Sequence, residues 1–216
     1  VRCDAELDIT GLPSGVTLDA DTIPSSQTQF PLLLKAAPDA AIGGALTELY
    51  AHSTDKEKPL TGKYLQELDF VRGNPNGTLY YAKETDLLPV IVAEEAPFAI
   101  EIVKPATPIV QNGVMPLKVK ATRKEGFTKP ITVRMLWRPP GIGCNSTATI
   151  PEGKDEAVFD MTANANAEVN TWRIVVTGEA DGGDGLVMNS SELTPLEVAE
   201  PFVDMKVNLA TVKQGQ

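Results

Sequence analysis

Apolar and polar residues alternate strictly through Leu117-Val119-Ala121, Ile131-Val133-Met135, Ala157-Phe159-Met161 and Trp172-Ile174-Val176. The same period of two runs through Ala5-Leu7-Ile9 and Leu32-Leu34. Successive side chains of a strand point to opposite faces, so each run sets one apolar face on a core and one polar face toward water. Helical spacing is almost absent. Seventeen prolines and 17 glycines punctuate the runs, at roughly the 8–12 residue spacing of short antiparallel strands joined by turns in a sandwich. The chain is expected to be all-β, and its 42% apolar content is enough to fill cores over 216 residues.

Internal echoes divide the chain. Val-Ala-Glu closely followed by Pro97-Phe98 returns as Val-Ala-Glu followed by Pro201-Phe202, about 104 residues on, with Gln111 answered by Gln214. That distance is the size of one sandwich domain. A second echo sets "LPSGVTLDADTIP" (12–24) against "RPPGIGCNSTATIP" (138–151), with Gly15 on Gly141 and Ile23-Pro24 on Ile150-Pro151. "LLKAAPDAA" (33–41) then falls on "FDMTANANA" (159–167), with Ala37 on Ala163, at an offset of about 126. The longer offset requires about 22 extra residues in the first copy, best placed at about 54–86, where the second copy has the short "EADGGDG". Asn74-Pro75-Asn76-Gly77, flanked by Phe70-Val71 and Leu79-Tyr80-Tyr81, reads there as the turn of an extended hairpin.

The expected units are 1–95, 96–200 and a tail, 201–216, with Phe202 to Val207 as the first strand of a third unit or a C-terminal extension. By the same comparison, the first copy starts about 30 residues late. Two of its strands are expected to be missing before Val1, leaving an edge to be covered.

The corner motif has a physical reading. Pro13 and Gly15, like Pro139, Pro140 and Gly141, force a reversal, with proline fixing φ and glycine accepting a positive one. Val16 or Ile142 then returns to the core, and Pro24 and Pro151 end edge segments because proline cannot donate to a ladder. "GLPSGVTLDADTIP" followed by "LLLKAAPDA" resembles the Ig-like β-sandwich repeats found in tandem in large bacterial secreted and cell-envelope proteins. "ATRKEGFTKPITVRMLWRPPGIG" followed by "TIPEGKDEAVFDMTANANAEVNTWRIVVTGEA" shares the likeness, with Arg138-Pro139-Pro140 in place of Gly-Leu-Pro.

The resemblance implies tandem immunoglobulin-like antiparallel sandwiches, the first incomplete and carrying an inserted hairpin. It also implies a secreted, periplasmic or cell-surface location and a non-catalytic spacer role among neighbouring domains of a parent chain. Such repeats also serve as carbohydrate- or protein-binding adhesion modules, and the family pattern supplies no catalytic residues.

The chemistry-bearing residues are few. A formal net charge of −10 argues against nucleic acid or anionic lipid as partner. There is no run of about 18 apolar residues of the kind that makes a membrane-spanning helix. Cys3 and Cys144 have neither metal-ligand nor CxxC spacing; they read as isolated thiols, with a disulfide between them as the alternative. His52, the single histidine, has no nucleophile, orienter or ligand at useful spacing. No cofactor is expected.

Asp19 with Asp21, and Asp181 with Asp184, are candidate calcium ligands, but neither stretch matches an EF-hand or RTX pattern, and Asp and Gly are also ordinary turn residues. Trp172 continues an alternating run and belongs to a core. Trp137, beside the corner, and Tyr80 and Tyr81 on the hairpin are the candidate ligand-binding aromatics. The hairpin aromatics either pack on the sandwich or form a contact surface.

Overall fold

The computed structural model describes residues 3–74 and 77–203. It divides between Ala96 and Pro97 into two compact units, and among the described residues every regular element is a strand.

The first unit contains β1 (Ala5–Thr10), β2 (Val16–Asp19), β3 (Leu33–Ala36), β4 (Gly43–Ser53), β5 (Thr61–Lys63), β6 (Gln66–Gly73), β7 (Thr78–Thr85) and β8 (Leu88–Val92). The long strand β4 organises it. β1 runs antiparallel to the C-terminal half of β4, from Ala5 opposite Ser53 to Thr10 opposite Glu48. β5 pairs with Tyr50–His52, and β8 pairs with Gly43–Thr47. β2 and β3 form a separate antiparallel pair, and β6 and β7 form a hairpin.

The second unit contains β9 (Phe98–Ile102), β10 (Ile109–Val110), β11 (Val114–Arg123), β12 (Ile131–Arg134), β13 (Ile142–Gly143), β14 (Thr147–Ile150), β15 (Glu156–Ala163), β16 (Asn170–Ile174), β17 (Thr177–Asp181), β18 (Leu186–Ser190) and β19 (Thr194–Ala199). One sheet has the order β13-β15-β11-β9, a second β14-β12-β17-β18, and β16 and β19 carry a third with β10. All pairs are antiparallel except β10 with β19. Period two does its work here: Ala157, Phe159, Met161 and Ala163 of β15 are buried while the residues between them are exposed. Phe98, Leu117, Ile131, Phe159, Ile174 and Leu196, drawn from all three sheets, share one core. A Cβ on Gly178 would lie 2.9 Å from the Phe98 ring and 3.1 Å from Ile131. The β9 sheet therefore packs directly on the face of β12 and β17.

The corner bonds recur in both units. Val16 N–H donates to Pro13 O at 3.0 Å, as Ile142 N–H does to Pro139 O. Ala37 N–H donates to Gly15 O as Asn164 N–H does to Gly141 O, and both glycines have φ of +80°. The lone bridge Ala5 to Ile23 stands where Ile131 opposes Ile150. These bonds correct the sequence alignment by one residue. Val16 opposes Ala36 and Ile142 opposes Ala163, so Ala36, not Ala37, matches Ala163. A one-residue slip reverses every side chain of a strand.

The extra residues also fall later than expected. Ser53 N–H bonds Leu60 O at 2.8 Å, closing a turn where Ala180 opposes Val187 in the second unit. The two turns have the same length, and residues 64–87 separate β5 from β8, whereas only residues 191–193 separate β18 from β19.

Burial separates the units. Ile131, Val133, Ile150 and Met161 are all 0% exposed, whereas their counterparts Ala5, Leu7, Ile23 and Leu34 are half-buried. Among the described residues, β3 pairs only with β2, while β15 lies between β13 and β11. Phe202 and Val203 are exposed; the rest of the strand expected from Phe202 to Val207 lies outside the described residues.

Candidate functional site

The hairpin of residues 64–87 is the candidate interaction surface. Its two ends are tied at the sheet by Lys63, whose Nζ donates to Glu48 Oε1 and to Asp86 Oδ2, both at 2.7 Å. Asp86 first and Glu48 second hold the ammonium above the usual lysine range. Hydrogen bonds from Lys63 hold both carboxyls below theirs. Beside this clamp the buried Thr47 hydroxyl donates to Leu88 O at 2.8 Å, fixing the strand that leaves the insertion.

Beyond the clamp the ribbon is exposed on both faces. Gln66 opposes Thr85 and Gly73 opposes Thr78, with a bulge near Phe70. Phe70 packs on Tyr81 with ring centroids 5.8 Å apart. The Tyr80 hydroxyl donates to Asn74 O at 2.9 Å, and its ring covers Gly73, where a Cβ would lie 2.9 Å from it. Arg72 bonds Asp69 along the same strand. Even so, Phe70, Tyr80 and Tyr81 remain 60%, 61% and 56% exposed. Adjacent strand residues face opposite ways, so Tyr80 and Tyr81 belong to two faces of the ribbon. Aromatic rings with an apolar face open to solvent suit stacking on a sugar ring or another polypeptide.

The other expected residues lie elsewhere. Trp137 is half-buried against the second unit's core, edge-on to Trp172 at 6.1 Å, so it is not a free platform at the corner. Trp172 is buried, with its indole N–H donating to Glu168 O at 3.2 Å. Asp19 pairs with Lys35 at 2.9 Å. Asp181 accepts from Gly183 N–H at 2.9 Å, and Gly182 N–H bonds Gly185 O, which makes Asp181–Gly185 a self-bonded turn with Asp184 at its exposed tip. Among the described residues, no group of three or more His, Cys, Asp or Glu side chains is placed to share a metal. His52 stacks on Tyr50 and bonds Thr61 through Nδ1 at 3.1 Å. Cys3 and Cys144 are both free thiols.

Sequence reasoning missed Phe70 and the Lys63 clamp. Phe70 was visible only as a flank of the turn. The clamp joins charges 15 and 23 residues apart, which no spacing rule reports.

No protein-family model matches the chain, and no curated protein matches it. Among solved structures, the crystal structure of the S-layer protein SbsC domains 4 and 5 is similar at 14% identity over 88% of this chain and 74% of that one, with a TM-score of 0.25. A likeness at that score supports no inference about fold or function.

Proposed function

We propose that the chain is a non-catalytic structural segment: two immunoglobulin-like sandwich modules of a larger exported polypeptide, acting as spacers at the cell envelope. The observation that carries the reading is the strand order of the second unit. β9, β11, β12, β15, β17 and β18 read as strands A, B, C, E, F and G, with β13 as D and β14 on the outer side of β12. The order β13-β15-β11-β9 against β12-β17-β18 is then the ABED and CFG arrangement of that fold. Its inward positions are filled by aliphatic and aromatic residues, and its polar side chains pair at the surface, as Lys118 does with Glu156 and Arg134 with Glu179, both at 2.9 Å. The shared corner bonds support reading the first unit as the same module. Such architecture holds other domains apart and needs no chemistry of its own.

A second reading, a carbohydrate- or protein-binding module, is favoured by one observation, the exposed Phe70, Tyr80 and Tyr81 on the hairpin. Polysaccharide pull-down of the intact chain and of the F70S/Y81S double variant separates the two. The spacer reading expects equal, background retention of both proteins. Specific retention that the double variant loses overturns it.

A further inference from the structure

We propose that the first unit carries both halves of a self-association surface: the apolar face of its ribbon seats on the outer face of β4 and β8 in a second copy of the chain, and the second copy's ribbon returns the contact. Each half is the occupant of the other, and the pair closes about a two-fold axis.

The ribbon sorts its side chains. Leu68 stands opposite Lys83 and Val71 opposite Tyr81, and the Phe70 ring lies against Tyr81, so these residues share one face. Glu67 opposite Glu84, and Asp69 opposite Ala82, take the other face, where Arg72 joins Asp69. The ribbon's carboxylates are thus kept off its apolar face.

The receiving patch lies on β4 and β8. Leu46 opposes Pro89 and Gly44 opposes Ile91, on the side away from the buried Thr47, Val90 and Val92. Ile91 covers the bare Gly44, where a Cβ would lie 3.4 Å from its Cγ1, and Ile42 extends the row. Ile42, Leu46 and Ile91 are 69%, 65% and 75% exposed. The second unit repeats this pairing residue for residue in β16 and β19, from Asn170 opposite Val198 to Ile174 opposite Thr194. There the positions of Gly44, Leu46 and Ile91 are held by Thr171, Arg173 and Glu197. The pairing itself therefore does not require an apolar outer face. The unit with the ribbon has one, and the unit without the ribbon has a polar one.

The root of the ribbon directs it to a second copy. Glu48, two residues from Leu46 on the same face of β4, holds that root through Lys63, so the patch begins about 7 Å from it. Phe70 and Tyr81 lie four residues out from Gln66 and Thr85, about 13 Å along the ribbon. A ribbon fixed at its root cannot lay its outer half on residues beside that root, and within one chain both faces stay open. Between two chains crossing antiparallel, the outer half of each ribbon meets the patch beside the other's root. At about 100–200 Å² per side chain, the exposed apolar residues of the two faces offer on the order of 600 Å² per chain, the low end of the roughly 600–1,000 Å² per partner of stable interfaces.

The test is sedimentation equilibrium of the intact chain between about 1 and 200 μM, the affinity range of a small interface. A monomer–dimer equilibrium is expected. I91D, which leaves the ribbon untouched, and Y81S should each weaken it at least about tenfold. E84Q, on the ribbon's other face, should leave it within about twofold. Amide exchange at Phe70 and Val71 should slow as protein concentration rises.

A chain that stays monomeric throughout that range overturns the proposal. So does a dimer that I91D leaves intact, because the ribbon then docks elsewhere. Protection of Phe70 and Val71 that is independent of concentration and removed by I91D also overturns it, since it seats the ribbon on its own sheet. The spacer reading stands or falls separately, on the polysaccharide pull-down.

Discussion

Alanine at Gly141 is expected to unfold the second unit far more readily than alanine at Gly15 unfolds the first, although both glycines have φ of +80°. The shared left-handed conformation costs an L-residue about 1–2 kcal/mol at either site. The surroundings differ. A Cβ on Gly15 meets Ala40 Cβ at 3.2 Å, a side chain with some room to give. A Cβ on Gly141 meets Ala167 Cα at 2.5 Å and Ala167 N at 2.9 Å, which are backbone atoms, and Ala167 is itself buried in the core. Overpacking of that kind adds about 1–3 kcal/mol, giving roughly 2–5 kcal/mol for G141A and about 1–2 for G15A. For a unit of this size that lowers the G141A midpoint by roughly 8–20 °C.

Both tryptophans belong to the second unit, so their emission during thermal or urea unfolding reads G141A directly, and calorimetry reads the first unit for G15A. Asparagine separates the two causes, because it tolerates positive φ but still carries a Cβ. G15N should recover most of the loss, and G141N should recover little. A G141N protein as stable as the parent would refute the close-approach argument, and equal losses in G15A and G141A would refute it too.

Acid should loosen the base of the hairpin. Glu48 and Asp86 titrate below their ordinary 4.5 and 3.8 because Lys63 donates to each. Folded values below unfolded ones mean that their stabilisation is fully present above the unfolded values and fades as pH falls through the folded ones. Amide exchange at residues 63 and 86–88, compared between about pH 6 and pH 3, should show the loss, and K63Q should erase the pH step. Arg123 is a separate lock in the second unit. Its guanidinium donates to the carbonyls of Lys129, Pro151 and Lys154, with only 10% of its side chain exposed. Lysine cannot fork to those carbonyls, so R123K should cost about 1.5–3 kcal/mol, read as a lower tryptophan-monitored midpoint.

The alternating runs of the second unit were readable because their burial is set by period alone once a lid exists. Identical alternation in Ala5-Leu7-Ile9 produces only half-burial, since exposure depends on strands elsewhere and not on the run itself. The slip from Ala36 to Ala37 has a local cause. The turn after β2 is one residue shorter than the turn after β13, and the adjacent Ala36 and Ala37 let either one be set on Ala163. Hydrogen bonding to Gly15 and Gly141 decides the register, and composition does not. For the candidate site, the sequence located the hairpin and its tyrosines but left open which way they face, because a ribbon rich in aromatics has the same pattern whether it lies on a sheet or stands clear of one.

The position of residues 64–87 leaves the inner strands of the first unit undisturbed. Residues 64–87 enter where the second unit already breaks its edge, at Ser191, whose hydroxyl accepts from Val176 N–H at 3.2 Å and whose N–H bonds Val176 O at 2.9 Å. A break on an edge strand leaves the ladders of the inner strands whole, so the insertion adds mainly the entropy of closing a longer loop. The Lys63 clamp brings the two ends of that loop together, and the hairpin within it shortens the chain left to order. A two-stranded ribbon exposed on both faces is marginal by itself, so the Phe70 and Tyr81 pair has a structural task, cross-strand packing, whether or not anything docks on it. Loss of binding in F70S/Y81S therefore counts for the binding reading only if β6 and β7 remain paired in the variant, which amide exchange of the ribbon reports directly.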